Sequence, residues 1–321
     1  MCMVIFLHTG VATASSPYFF SFSLYRKIID GFSCIAVPLF FMVSGFLMVQ
    51  KEMNWKYVKD KIGRIFKFIF ITISFVLVCY NLADFIEHGC ITSRSFGIGT
   101  YLLWFIQKGY MWQYWYFAAM ILMYIFSVCF LRHLKSSRQI CLILLLSILI
   151  SFSFFLLDVV CQFEKKLIIQ TFRIWYWIMY YCLGAVMCIY REKFGSITWP
   201  FAIMMAVIYS LFQYFGPDTG GNEYFFGSVL CMIYAVCVFG ACLNTYVKNG
   251  IVIKQLSMLF LPVYALHVLF LTCFVKILNY CELDFVNGYD YLILAFSFVV
   301  LIILLCWFIM KLPYMDIVFK L

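Results

Sequence analysis

Apolar runs close to the length needed to cross a bilayer recur along the whole chain, separated by short polar connections, and this alternation predicts membrane-spanning helices. The clearest run is Val37-Pro38-Leu39-Phe40-Phe41-Met42-Val43-Ser44-Gly45-Phe46-Leu47-Met48. A basic segment follows at once, with Lys51, Lys56, Lys59, Lys61, Arg64 and Lys67 against only Glu52 and Asp60. An apolar helix ending in such a cluster reads as a span that leaves on the cytoplasmic side. The pattern predicts about ten spans, near residues 1–14, 32–50, 65–85, 113–131, 140–157, 172–190, 199–215, 224–244, 256–278 and 291–310. The first is short: its residues make about 21 Å of helix against a hydrocarbon core of ~30 Å. Two longer connections stand out. Residues 15–30 hold Pro17 and Arg26-Lys27, and residues 86–112 hold His88, Arg94 and an amphipathic piece around Tyr101 to Ile106. The expected fold is all-α, a polytopic transmembrane bundle forming a single domain over residues 1–321.

Charge gives the expected orientation. Alternate connections carry Lys51 to Lys67, then Arg132, Lys135 and Arg138, Arg191 and Lys193, Lys248 and Lys254, and finally Lys311 and Lys320. The opposite set carries Asp30, Glu87, Asp158, Glu164, Asp218, Glu223, Glu282, Asp284 and Asp290. The basic bias places both termini in the cytoplasm. Composition supports the membrane reading: 66% of the 321 residues are hydrophobic and 12% charged, and the mean hydropathy is +1.01. A soluble domain of this size cannot hide that much apolar surface. The net charge of +9 then belongs to cytoplasmic connections and anionic lipid, and calls for no nucleic acid partner. The 15 cysteines show no CxxC or Cys/His metal spacing and read as small packing residues. Cys90, Cys161 and Cys281 fall in connections and are the ones free to pair. Met1 to Ala14 has no basic segment before its apolar run, which argues against a cleaved signal peptide. No internal repeat is visible.

Ionisable groups inside spans are costly and become functional candidates. His8 in the first span can serve as a general base, or can be a histidine satisfied by a neighbouring carbonyl. His267 in Leu261-Pro262-Val263-Tyr264-Ala265-Leu266-His267 has the same two readings, with Tyr264 as its structural partner and Pro262 freeing a carbonyl one turn earlier. Ser44-Gly45 reads first as a helix-packing contact and second as a nucleophile, without the context of a nucleophile elbow. Lys61 and Arg64, three apart on one helix face, can hold phosphate oxygens or simply mark topology. Trp112, Tyr114, Trp115 and Tyr116 crowd beside Gln113 at the start of the fourth span. They form an interfacial belt or a stacking surface for sugar rings. Arg173 is placed to snorkel outward from the end of the sixth span.

Taken in order, these pieces resemble the acyltransferase 3 family, integral-membrane acyltransferases of bacterial surface polysaccharides. The resemblance rests on Val4-Ile5-Phe6-Leu7-His8, the Val37–Phe46 run, Lys61-Ile62-Gly63-Arg64 and Trp115-Tyr116-Phe117, then Tyr180-Tyr181-Cys182-Leu183-Gly184 and Tyr264-Ala265-Leu266-His267. The Val-Pro-Leu-Phe-Phe form is most similar to the enterobacterial common antigen O-acetylase and intercellular adhesin subgroup. The resemblance implies acyl transfer, usually acetyl, from cytoplasmic acetyl-CoA or another acyl-CoA to a hydroxyl of an extracytoplasmic or lipid-linked glycan. It also implies residence in the bacterial cytoplasmic membrane and no metal. The implied roles are His8, supported from His267, as general base, and Ser44 as the carrier of a covalent variant. Lys61 and Arg64 would contact CoA phosphates, and Trp115, Tyr116, Arg173 and Tyr264 would meet substrate. The family's Arg, separated from the His by ten residues, falls upstream of Met1 here, which implies an earlier start. Its cytoplasmic Arg-x-x-Arg stands here as Lys61-x-x-Arg64, a less directional phosphate contact, and Gln113 stands where many relatives carry His. The competing readings are a transporter or flippase for a lipid-linked glycan, and a silent scaffold of a polysaccharide assembly complex.

Overall fold

Proline decides where two of the apolar runs stop being single helices. A computed structural model describes residues 1–13, 23–89, 97–109, 111–131, 136–161, 168–215, 222–245, 250–281, 288–315 and 319. Among them the regular elements are all helical. Helix α1 is Cys2–Thr13, α2 is Ser23–Ser33 and α3 is Ala36–Met48. Pro38, the third residue of α3, has no N–H to give the Cys34 carbonyl, and its ring excludes a helical approach there. The chain therefore turns at Cys34-Ile35, and the second predicted span becomes α2 plus α3. The same device recurs at Pro262. The ninth predicted span divides at Leu259 into α11, Ile251–Met258, and α12, Phe260–Tyr280. There too the proline is the third residue of the later helix.

The third predicted span is longer than its apolar run. Helix α4, Trp55–His88, has 34 residues, about 51 Å at 1.5 Å per residue, so its basic first turns continue the span into the charged zone. Asn54 caps it, the side chain accepting from Tyr57 N–H at 2.8 Å. Gly89 closes it with φ +67°, a left-handed conformation in which glycine is unstrained. The connection that follows holds the short α5, Ile98–Leu102, and two 3-10 turns, Leu103–Ile106 and Trp112–Tyr114. Then come α6, Trp115–Cys129, α7, Ser137–Cys161, and α8, Ile174–Ile189. Helix α9 is Trp199–Phe215, α10 is Val229–Asn244 and α13 is Gly288–Ile309. Five helical segments are long and apolar enough to cross a membrane, and four more apolar helices are shorter. With α1 they occupy the ten predicted places. Leu145, Leu149, Leu156 and Val160 on α7 are exposed, as on a face turned to lipid.

Two acids expected in outer connections are instead helical and buried. Asp30 lies in α2 and Asp158 in α7, 8% and 1% exposed. Both lie in helix beyond the point where hydropathy falls, because helical backbone satisfies its own hydrogen bonds in an apolar surround. The described basic residues Lys51, Arg64, Arg138, Arg191, Lys193, Lys254 and Lys311 are all exposed. Pro17, Arg94, Arg132, Lys135, Glu164, Asp218, Lys248, Glu282, Asp284, Lys320 and Cys90 lie outside the described residues. Cys161, at the end of α7, and Cys281 are free thiols.

The core has three centres. One joins α3, α6, α8 and α10 through Phe41, Trp115, Trp177, Tyr180 and Phe239. A second joins α4, α6 and α12 through Phe68, Tyr114, Phe117 and Tyr264. The third joins α1, α12 and α13 through Ile5, Val263, Phe298 and Ile302. Helix α12 belongs to two of them, which sets its polar residues between α1 and α6.

Candidate active site

His8 and His267 come from opposite ends of the chain and meet. His8 Nδ1 is 2.6 Å from His267 Nε2. The rings are inclined by 25° with centres 4.8 Å apart, so both nitrogens lie between the two ring centres, as in an in-line N–H···N hydrogen bond. The partner groups assign the tautomers. His267 Nδ1 is 2.8 Å from the Tyr264 carbonyl and 3.1 Å from the Val263 carbonyl. A carbonyl only accepts, so His267 Nδ1 carries the proton and, in the neutral pair, His267 Nε2 accepts. His8 Nδ1 then donates, and the His8 Nε2 lone pair is the open end of the chain. His267 is fully buried and His8 partly exposed. The histidine with the spare lone pair is the accessible one.

Aromatic side chains frame this pair. The Trp112 ring stands at 89° to His8 with centres 5.0 Å apart. Tyr264 Oη donates to the Gln113 carbonyl at 2.6 Å, and its ring lies among those of Phe40, Tyr114, Tyr116, Phe117 and His267. Tyr264 thus joins the histidine helix to the turn before α6. Its hydroxyl is spent on that backbone.

A cavity of 290 Å³ opens on the lysine-rich side of Tyr264. Lys61 and Ile65 line it from α4, and Tyr116, Phe117, Met120 and Tyr124 from α6. Ser257, Met258, Phe260 and Leu261 line it at the break made by Pro262, and Phe319 completes the wall; irregular backbone beside a cavity is tolerated in a membrane. Tyr116, Met120 and Tyr124 recur every four residues and share one face of α6. Ser44 lies within side-chain reach of the Tyr116 hydroxyl. Lys61 Nζ is 6.0 Å from the centre of the Tyr57 ring, and Lys51 Nζ is 5.7 Å from the same ring and 3.5 Å from its hydroxyl. From the cavity wall, ring contacts run from Tyr116 to Tyr264 and from Tyr264 to His267, centres 5.9 Å apart in each.

The remaining candidates fall elsewhere. Arg64 is exposed beside the cavity and donates from Nε to the Asp60 carbonyl of its own helix at 3.3 Å. Trp115 faces away from Tyr116 and packs on Trp177, ring centres 5.1 Å apart. Arg173 does not snorkel: it is 2% exposed, and its Nε and Nη2 both donate to the Ile168 carbonyl at 3.1 and 2.9 Å. The reason is local. The turn that opens α8 folds the Ile168 carbonyl onto one edge of the guanidinium, which holds the side chain inward. The sequence reading had not singled out Trp112, Tyr124, Tyr57 or Lys51 as individuals. The available signal was the aromatic crowd at 112–116; nothing in it told which ring meets His8.

A family model described as an acyltransferase domain, that of acyltransferase 3, matches residues 1–311. No curated protein and no solved structure matches the chain.

Proposed function

The chain belongs to the acyltransferase 3 family and is a multi-pass membrane acyltransferase, and from that premise we propose that it passes an acetyl group from acetyl-CoA to a hydroxyl of an extracytoplasmic or lipid-linked glycan, with His8 as the base. The observation that carries this reading is the His8–His267 hydrogen bond, which leaves His8 Nε2 without a described partner on a partly exposed side chain. The acceptor hydroxyl bonds to Nε2. As its oxygen attacks the thioester carbonyl carbon, its proton passes to Nε2. The C–S bond then breaks, and the thiolate leaves with the proton that His8 returns. The products are an O-ester on the acceptor and free CoA thiol. While His8 holds the proton, its Nδ1–H points at the neutral His267 Nε2, and His267 is itself held by two carbonyls. His267 is a positioning residue. No described hydrogen bond joins Ser44 to either histidine, which favours direct transfer over an acyl-serine.

On the donor side, Lys61 at the cavity mouth, with Lys51 across the Tyr57 ring, supplies positive charge for CoA phosphates. The mostly apolar cavity suits the pantetheine arm, which would bring the thioester past Tyr116 towards His267. In this arrangement the lysine-rich end is cytoplasmic, as is each terminus. Lys61→Gln is expected to raise KM for acetyl-CoA about tenfold, a loss of one charge-assisted bond. Its effect on kcat should be small. An unchanged KM would remove Lys61 from the donor site.

The decisive experiment follows the acyl group. Membranes carrying the chain are given trideuteroacetyl-CoA, and the envelope glycan is recovered and analysed by mass spectrometry. Deuterated acetyl ester on the sugar is expected, and none with His8→Ala. Unlabelled glycan from the active membranes would overturn the acceptor assignment.

A further inference from the structure

Four aromatic residues crowd the start of α6, and the fold uses three of them as core. Tyr114 is fully buried between Phe68, Phe117 and Tyr264. Trp115 is packed on Trp177, and Tyr116 lies among Phe40, Phe41 and Tyr264 at the donor cavity. Trp112 alone of the four both touches His8 and keeps part of its ring exposed. Its position is rigid. The Trp112 carbonyl accepts from Trp115 N–H, Tyr114 N–H donates to the Met111 carbonyl at 2.9 Å, and Tyr264 Oη ties down the Gln113 carbonyl. The same turn buries the Gln113 side chain, 1% exposed, with its Oε1 lacking any hydrogen-bond partner among the described residues. Among the described residues its Nε2 has only the Met111 sulfur, at 3.6 Å. A buried amide oxygen without a donor is costly and uncommon.

We infer that the Trp112–Tyr114 turn is the acceptor platform: Trp112 holds the apolar face of a pyranose beside His8, and Gln113 Oε1 takes the hydrogen bond of a neighbouring hydroxyl or acetamido N–H. The inference rests on the acyl-transfer reading above and adds the residues that hold the sugar ring of its acceptor. Trp112 is a specificity-determining residue in this arrangement. Its indole offers a flat apolar face with little freedom to lose, and its contact with His8 sets any sugar stacked there close to the free Nε2. An acyclic polyol has no flat face to offer and gains nothing from the ring.

The test uses the full chain in lipid nanodiscs with radiolabelled acetyl-CoA. Three soluble probes are compared at graded concentrations: octyl β-D-glucopyranoside, octyl N-acetyl-β-D-glucosaminide and 1-O-octylglycerol. The chain is expected to acylate the two pyranosides with a KM about tenfold below that for octylglycerol. Trp112→Ala should erase that preference by raising the pyranoside KM, and Trp112→Phe should restore most of it. Gln113→Leu should raise KM for the N-acetylglucosaminide. A preference that survives in Trp112→Ala, or that is missing from the unaltered chain, overturns the platform. Should no probe be acylated while acetyl-CoA is still consumed in a His8-dependent manner, the pyranose class is wrong and the donor and base assignments stand. Should His8-dependent consumption also be missing, the acyl-transfer reading itself fails.

Discussion

His8→Ala is expected to lower acyl transfer by about 10²–10⁴-fold, the range that a positioned general base contributes. The folded protein should remain, because His8 is only partly buried and Ala is a good helix former. Removing His267 should do less, and in a way that identifies its role. His267→Leu takes away the acceptor that fixes His8 Nδ1–H, so the free lone pair is divided between the two ring nitrogens and turnover falls. His267→Gln has an amide oxygen able to accept from His8 Nδ1 and should recover part of the rate. Turnover by membranes is read against protein level and melting behaviour for each variant. Retained transfer in His8→Ala would sink the base assignment. Equal rates for His267→Leu and His267→Gln would show that orientation of His8 is not what His267 provides.

The second large effect concerns stability. Helices α3 and α8 cross at two glycines, and the contact is reciprocal. A Cβ on Gly45 would overlap the Tyr181 carbonyl, and a Cβ on Gly184 would overlap the Met42 carbonyl. Met42 and Gly45, like Tyr181 and Gly184, are three residues apart, so each helix offers a carbonyl to the other's missing side chain. Lipid gives helices no hydrophobic reason to associate, and close backbone approach at small residues supplies dispersion contacts instead. Overpacking usually costs about 1–3 kcal/mol. Gly45→Ala and Gly184→Ala belong at the upper end, since the obstacle is backbone rather than a side chain that can swing aside. Both variants should melt at clearly lower temperature in detergent and accumulate poorly in membranes. Ser44→Ala, next door, should melt like the unaltered chain. An unshifted melting curve for Gly45→Ala and Gly184→Ala would mean that the crossing is not the tight contact of the fold.

That crossing also resolves the two readings of Ser44-Gly45. The glycine is a packing residue, and the serine stands beside Tyr116 with no described bond to a histidine. For His267 the structural reading is directly visible, and the same bonds place its other nitrogen on His8. Its Nδ1 is satisfied by carbonyls, as a structural histidine would be, and this is what frees its Nε2 to orient His8.

The sequence by itself determined that the chain is a bundle of about ten apolar helices in a membrane. Hydropathy alone decides this, because a backbone in lipid must bond to itself within each segment. It also determined the helix that carries Lys61 and Arg64 on one face, since that spacing is a property of the helix and needs no neighbour. Tertiary structure decided which candidates lie together. His8 and His267 lie 259 positions apart, and equal depth in a membrane does not make two residues neighbours; the packing of α1 on α12 does. It separated Lys61 from Arg64, one lining the cavity and the other exposed, and turned Trp115 into core while leaving Trp112 against His8. Which side of an apolar helix meets protein and which meets lipid cannot be read from a pattern that is apolar all round. Only the neighbouring helices choose.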